Sequence, residues 1–158
     1  MIRIGKMADY ALLLTNHLVN FPEQLTTTEQ LVEATQLPFA TVRKLLKQLV
    51  DGKIVQSYRG TKGGYRLLRA AAQINVAEVI MAIEGPIALT DCVLPNHKSC
   101  GREEACGLKE NWSYINTVVT NVFRGISLED MTKHMAGNSK QVQLDMDTKE
   151  ICLSLSGN

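Results

Sequence analysis

The stretch Gln36-Leu37-Pro38-Phe39-Ala40-Thr41-Val42-Arg43-Lys44-Leu45-Leu46-Lys47-Gln48-Leu49-Val50-Asp51-Gly52 decides the fold. Its first three residues read as a tight turn, because proline pushes the residue before it out of the helical region. Beyond the turn, Val42, Leu45, Leu46 and Leu49 recur at helical spacing and form a buried stripe, which leaves Arg43, Lys44, Lys47 and Gln48 facing away from the core. Asp51-Gly52 stops the helix. Upstream, Thr26-Thr27-Thr28-Glu29-Gln30 offers a threonine hydroxyl with Glu or Gln three residues later, capping-box chemistry for a short helix over residues 28 to 35. Two helices joined by a tight turn, the second with a basic outer face, match a helix-turn-helix whose second helix enters a DNA major groove.

A plain helical hairpin with a solvated basic face would share that pattern, so the neighbouring segments carry weight. Before it, Ala11, Leu12, Thr15, Leu18 and Val19 repeat at helical spacing from Ala8, giving a first helix that ends ahead of Phe21-Pro22. After it, Ile54-Val-Gln-Ser-Tyr58 and Tyr65-Arg-Leu-Leu68 read as two strands around the tip Arg59-Gly60-Thr61-Lys62-Gly63-Gly64. The glycines permit a tight tip with positive φ angles and a close backbone approach to a ligand, while Arg59 and Lys62 supply phosphate or minor-groove contacts. No strand followed by G-x-x-x-x-G-K-[ST] and a helix is present, which removes a nucleotide-binding loop. The order of elements is that of a winged helix-turn-helix. Its candidate DNA contacts are Thr28 on the shorter helix, Phe39, Ala40, Thr41, Arg43, Lys44 and Lys47 on the longer one, and Arg59, Thr61, Lys62 and Gly63 in the wing.

Charge agrees with this assignment. The chain of 158 residues has a net charge of +1, yet residues 1–70 hold ten Lys/Arg against five Asp/Glu while the remainder holds seven against eleven. The basic half is the side that suits a polyanion. Apolar residues are 45% and charged residues 21%, which is globular usage. No apolar run approaches the roughly eighteen residues of a membrane span, and Met1 to Asp9 lacks the pattern of a secretory signal. A reducing cytoplasm is the expected compartment, one in which cysteines serve metals or redox chemistry rather than structural disulfides.

Beyond residue 70, Asn75 is a good N-cap with Glu78 at the third position, and Val76, Val79, Ile80 and Ile83 face one way along a helix that stops at Gly85-Pro86. Further on, Leu108, Trp112, Ile115, Val119, Val122 and Ile126 are spaced 4, 3, 4, 3 and 4, a heptad seam that wants a partner helix. A symmetric dimer suits a reader of palindromic DNA, since two half-sites need two copies. Ser127 to Asp130 caps a last short helix, Leu128 to Met135. Domain boundaries follow: a DNA-binding head at 1–70, a cysteine loop and dimerisation helix at 71–137, and a flexible tail at 138–158.

Between these helices, Cys92, Cys100 and Cys106 lie with seven and five residues between them, in segments too polar to order themselves. A metal centre would supply that order. The close C-x₂₋₄-C pairs of a zinc site are absent, whereas iron-sulfur clusters accept looser cysteine spacing. Three thiolates leave one coordination position open, for which His97 within the loop, a downstream side chain or a carboxylate across a dimer interface are candidates. Cys152 reads as an ordinary thiol. Nothing in the chain supplies a nucleophile with a positioned base, so an enzyme is not expected.

Taken together, Met7-Ala-Asp9-Tyr10-Ala, Leu45-Leu46-Lys-Gln-Leu49, Arg59-Gly-Thr-Lys-Gly-Gly-Tyr-Arg-Leu67 and Ala82-Ile-Glu-Gly-Pro86-Ile-Ala-Leu89 followed by three cysteines resemble the bacterial winged-helix repressors typified by IscR and NsrR. The resemblance runs from residue 1 to about residue 135. Leu89-Thr-Asp-Cys92, Cys106-Gly-Leu-Lys-Glu-Asn-Trp112 and Ile115-Asn116 look most like regulators of the SUF iron-sulfur assembly operon. It implies a homodimer whose cysteines bind an iron-sulfur cluster and whose DNA affinity depends on cluster occupancy; the fold expected is mainly α with a small β wing and a long dimerisation helix, the operator palindromic, and the cluster 2Fe-2S in preference to 4Fe-4S. Two positions depart from the pattern. The histidine ligand expected three residues past the last cysteine is Lys109, which cannot ligate while protonated. An aspartate of the partner's first helix serves in NsrR-like members and matches Asp9, so Asp9 and His97 are the rival fourth ligands. The recognition-helix glutamate of IscR is replaced by Arg43, which favours guanine through O6 and N7. A nitric-oxide sensor and a zinc-stabilised regulator are the alternatives on the same fold.

Overall fold

The computed structural model describes residues 3–94, 100–101 and 106–135. Those residues build six α-helices and a two-stranded antiparallel sheet, with short 3₁₀ turns at Ala71–Gln73 and Asp91–Val93. Helix α1 spans Lys6–Asn20, α2 Thr28–Thr35, α3 Phe39–Asp51, α4 Val76–Glu84, α5 Lys109–Arg124 and α6 Leu128–Met135; β1 is Val55–Tyr58 and β2 Gly64–Leu67. The winged helix-turn-helix expected from the pattern of turns and stripes is present, α2 and α3 being its two helices and β1–β2 its wing.

Local chemistry places each boundary. Thr27 accepts from the backbone N–H of Gln30, and the Gln30 side chain accepts in return from the Thr27 N–H, which closes the capping box of α2. Gln36 then takes up the left-handed conformation with φ 56°, ending α2 and turning the chain into Pro38. Asn75 and Glu78 form a second capping box at the start of α4, and Gly85, at φ 85°, ends it. The wing pairs Val55 with Leu67, Gln56 with Arg66, Ser57 with Tyr65 and Tyr58 with Gly64.

The larger of two buried clusters among the described residues joins the helices to the wing. Leu14 and Leu18 of α1, Leu31 of α2, and Val42, Leu45, Leu46 and Leu49 of α3 meet Ile54 and Val55 beside the wing, Val79 of α4 and Leu128 of α6. The stripe expected on α3 is buried in full. On α1 the buried residues include Leu14, while Leu12 and Val19 are half-buried at the edge, so the helix is rotated slightly from the face its periodicity indicated. A second cluster of Ala8, Val76 and Ile80 takes in Phe123 and Ile126 at the far end of α5.

Helix α5 buries none of its residues fully. Along the expected seam, Val119, Val122 and Ile126 are half-buried on this chain's own helices, whereas Leu108, Trp112 and Ile115 stand 57%, 36% and 40% exposed, with Tyr114 beside them at 52%. The seam is therefore divided: its C-terminal half is covered within the chain and its N-terminal half presents apolar side chains outward. No helix among the described residues is long and apolar enough to cross a membrane.

Candidate nucleic-acid interface and metal centre

Because the buried stripe fixes the rotation of α3, its opposite face is fixed as well. Phe39, Ala40, Arg43, Lys44 and Lys47 are exposed there, and together with Val50, Ser57 and Tyr65 they line an open hollow of about 620 Å³ between the helix and the wing. Thr28 and Thr41 are half-buried at the edges, and Arg59, Thr61 and Lys62 are exposed at the wing tip with Gly63 half-buried behind them. No acidic side chain lines the hollow. A concave surface carrying three cations and no carboxylate attracts a polyanion.

Two glycines shape the wing. Gly60 sits at φ 113°, a conformation that favours glycine. A Cβ on Gly64 would lie 2.9 Å from the Thr26 carbonyl oxygen, because the backbones of Thr26 and Tyr65 exchange hydrogen bonds of 3.0 and 2.9 Å. At Gly64 the close approach is to the chain's own backbone and not to a ligand as expected, and Thr26 serves as a third short edge that anchors the wing to the start of α2.

Gln48 does not face solvent as expected from the period of α3. It is half-buried, and its Nε2 donates to the Ile83 carbonyl at 3.3 Å, binding the recognition helix to the last turn of α4. From there the chain runs through Gly85 into the arm that carries the first cysteine. Asn116 of α5 holds that arm with both ends of its amide: Nδ2 donates to the Ile87 carbonyl at 3.0 Å, and Oδ1 accepts from the Leu89 N–H at 3.0 Å. An amide satisfied twice by one backbone segment imitates a strand pairing and fixes where the arm lies.

At the end of the arm, Cys92 occupies the 3₁₀ turn Asp91–Val93, and its Sγ shares a hydrogen bond of 3.2 Å with the Thr90 hydroxyl. Cys92 is partly exposed, and Cys100 and Cys106 are exposed; all three are free thiols. Asp9 lies in the first turn of α1, exposed, lining a small groove with Leu12, Leu13, Asn16, Leu128 and Met131. His97 lies outside the described residues, as do Cys152 and the tail beyond residue 135. Among the described residues no three His, Cys, Asp or Glu side chains come together around one point. The donor set itself, three accessible thiols with the Thr90 hydroxyl in hydrogen-bond contact with Cys92, is soft and suits iron-sulfur chemistry better than hard oxygen-loving cations.

Thr90, Asn116, Thr26 and Gln48 are the working residues that periodicity did not single out. Asn116 carried a signal only as part of the Ile115-Asn116 resemblance, and Gln48 carried none, since both act across long sequence separations.

Residues 4–134 match the Rrf2 family, described as iron-dependent transcriptional regulators. The chain belongs to the Rrf2 family. Its relatives include a helix-turn-helix transcriptional regulator, ORF2 of Azotobacter vinelandii, 31% identical over 80% of this chain and 75% of that one. NsrR of Oceanobacillus iheyensis is 25% identical over 84% of this chain and 91% of its own. In three dimensions a transcriptional regulator from Listeria innocua superposes with a TM-score of 0.68 at 26% identity, covering 90% of this chain and 92% of that one. The cysteine regulator CymR of B. subtilis superposes at 0.67 with 24% identity, covering 85% and 98%. As an Rrf2-family member the chain is a DNA-binding transcriptional regulator and not an enzyme, in keeping with the winged fold.

Proposed function

We propose that the chain is a repressor of iron-sulfur assembly genes that binds a palindromic operator as a homodimer. Its operator affinity would follow an iron-sulfur cluster held by Cys92, Cys100 and Cys106. The observation that carries this reading is the pair of polar ties on either side of Gly85: Gln48 to Ile83, and Asn116 to the Ile87–Leu89 segment. Through them the segment bearing Cys92 is attached to the recognition helix on one side and to the partly uncovered helix α5 on the other. A change in how that segment lies has a direct route to the spacing and tilt of two DNA-reading heads.

The uncovered half of α5, with Leu108, Trp112, Tyr114 and Ile115, supports the dimer. The open hollow of Arg43, Lys44 and Lys47 supports the DNA contact. When bound, a cluster would supply a redox- and iron-sensitive bond between Cys92, Cys100 and Cys106. The chain's residues do the rest: Asn116 orients the arm, Thr90 shares a hydrogen bond with Cys92, and Asp9 of a second copy or His97 completes the ligand set. For occupancy to act as a signal, the two states must differ in operator affinity.

The test is anaerobic reconstitution with iron and sulfide. The wild-type chain is expected to become coloured and to retain iron and acid-labile sulfide, and Cys92→Ala, Cys100→Ala and Cys106→Ala each to lose both. Asp9→Ala and His97→Ala distinguish the fourth ligand by which of them loses the cluster faster. A colourless, zinc-replete protein, or unchanged iron and sulfide in the cysteine variants, contradicts the reading.

A further inference from the structure

Phe39 is the first residue of α3, is 46% exposed, and lines the same hollow as the three cations Arg43, Lys44 and Lys47. Single exposed apolar residues are ordinary; what distinguishes this one is its position. Phe39, Arg43 and Lys47 are spaced by four residues along α3, so ring, guanidinium and ammonium form one exposed row that runs from the flank of the buried stripe at Phe39 towards the opposite face at Lys47. Ala40, next in sequence and also exposed, lines the same open hollow, together with the wing residues Ser57 and Tyr65. Phosphate oxygens offer a phenyl ring nothing. The apolar feature of a major groove is the 5-methyl group of thymine, and Phe and Ala are residue types that meet it.

We infer that Phe39, flanked by Ala40, is a sequence-reading residue that contacts a thymine methyl one or two base pairs from the base read by Arg43. The inference rests on the DNA-binding reading of α3 and deepens it. The distance follows from helix geometry: four residues rise about 6 Å along α3, and successive base pairs are about 3.4 Å apart, so the two side chains reach bases roughly two steps apart. With Arg43 favouring guanine, each half-site should pair a guanine with a nearby thymine at fixed offset.

The experiment uses the full chain to select duplexes from a random pool, in parallel arms of iron-sulfide-reconstituted and iron-stripped protein. Each thymine of the winning duplex is then replaced in turn by uracil, which removes only the methyl group. At one thymine per half-site, within two base pairs of a guanine, uracil is expected to weaken wild-type binding about fourfold, the worth of one buried methyl. Phe39→Ser should bind thymine and uracil duplexes alike, and Phe39→Leu should restore the discrimination. Thermal unfolding of the variants checks that this exposed position leaves the fold intact. Indifference of the wild type to uracil at every position, or discrimination that survives in Phe39→Ser, overturns the inference alone. Failure of both arms to enrich any duplex overturns it together with the DNA-binding reading.

Discussion

Arg43, Lys44 and Lys47 share one helix face, and on the DNA contact we propose for it their chemistry would give them different work. A guanidinium can read guanine with two parallel hydrogen bonds, whereas an ammonium acts as a point charge on phosphate. Arg43→Ala is therefore expected to cost about 1–3 kcal/mol on a guanine-containing half-site and to relax preference at that base pair. Lys44→Ala or Lys47→Ala should weaken binding almost equally on all sequences and flatten the salt dependence by about one unit of slope. Fluorescence anisotropy on matched and scrambled duplexes across a salt series separates the two behaviours; a sequence-blind loss in Arg43→Ala would contradict the assignment. This face was legible in the sequence because a helix with Val42, Leu45, Leu46 and Leu49 inside leaves no freedom for Arg43 and Lys47. Gln48 was not legible. The same period turns it outward, and only the approach of α4 across 35 residues of chain gives its amide the Ile83 carbonyl to bind.

Among the elements, the wing and the cysteine arm each depend on one contact. Gly64 lets β2 lie against the Leu25–Thr26 backbone. A methyl group there meets a carbonyl oxygen rather than a side chain that could swing away, so Gly64→Ala should destabilise by about 1–3 kcal/mol. A lowered urea midpoint together with weaker operator binding would show it; an unchanged midpoint would mean that the Thr26–Tyr65 bridge tolerates the shift. In the arm, Asn116→Ala removes two hydrogen bonds and leaves the Leu89 N–H and Ile87 carbonyl to find water. About 1–3 kcal/mol of local stability is at stake. Hydrogen exchange at the Leu89 amide should then quicken by about tenfold or more, and exchange at the wild-type rate would show that other contacts hold the arm. The heptad seam of α5 was visible in spacing alone, but spacing does not say what covers a seam. Val122 and Ile126 find cover within the chain, while Leu108 and Ile115 do not.

For the whole molecule, the arrangement joins the cationic face of α3, a cysteine-bearing arm and an outward apolar helix end through a few polar ties and two buried clusters among the described residues. Capping boxes, turn residues and helical stripes announced the winged head, because those signals are local. The meeting of Cys92, Cys100 and Cys106 is not local: Cys100 and Cys106 are exposed, and their convergence depends on segments at 95–99 and 102–105 that lie outside the described residues. Coupling between two sites in a protein typically amounts to about 1–3 kcal/mol, or five- to 150-fold in affinity. The central claim, that cluster occupancy sets DNA affinity, is tested most directly by titrating one selected operator, at one salt concentration and without oxygen, with reconstituted chain and with the same preparation stripped of iron. A difference in Kd of at least about fivefold that vanishes in Cys92→Ala is the result predicted; equal Kd values for the two preparations, with iron and sulfide verified in the first, would contradict it.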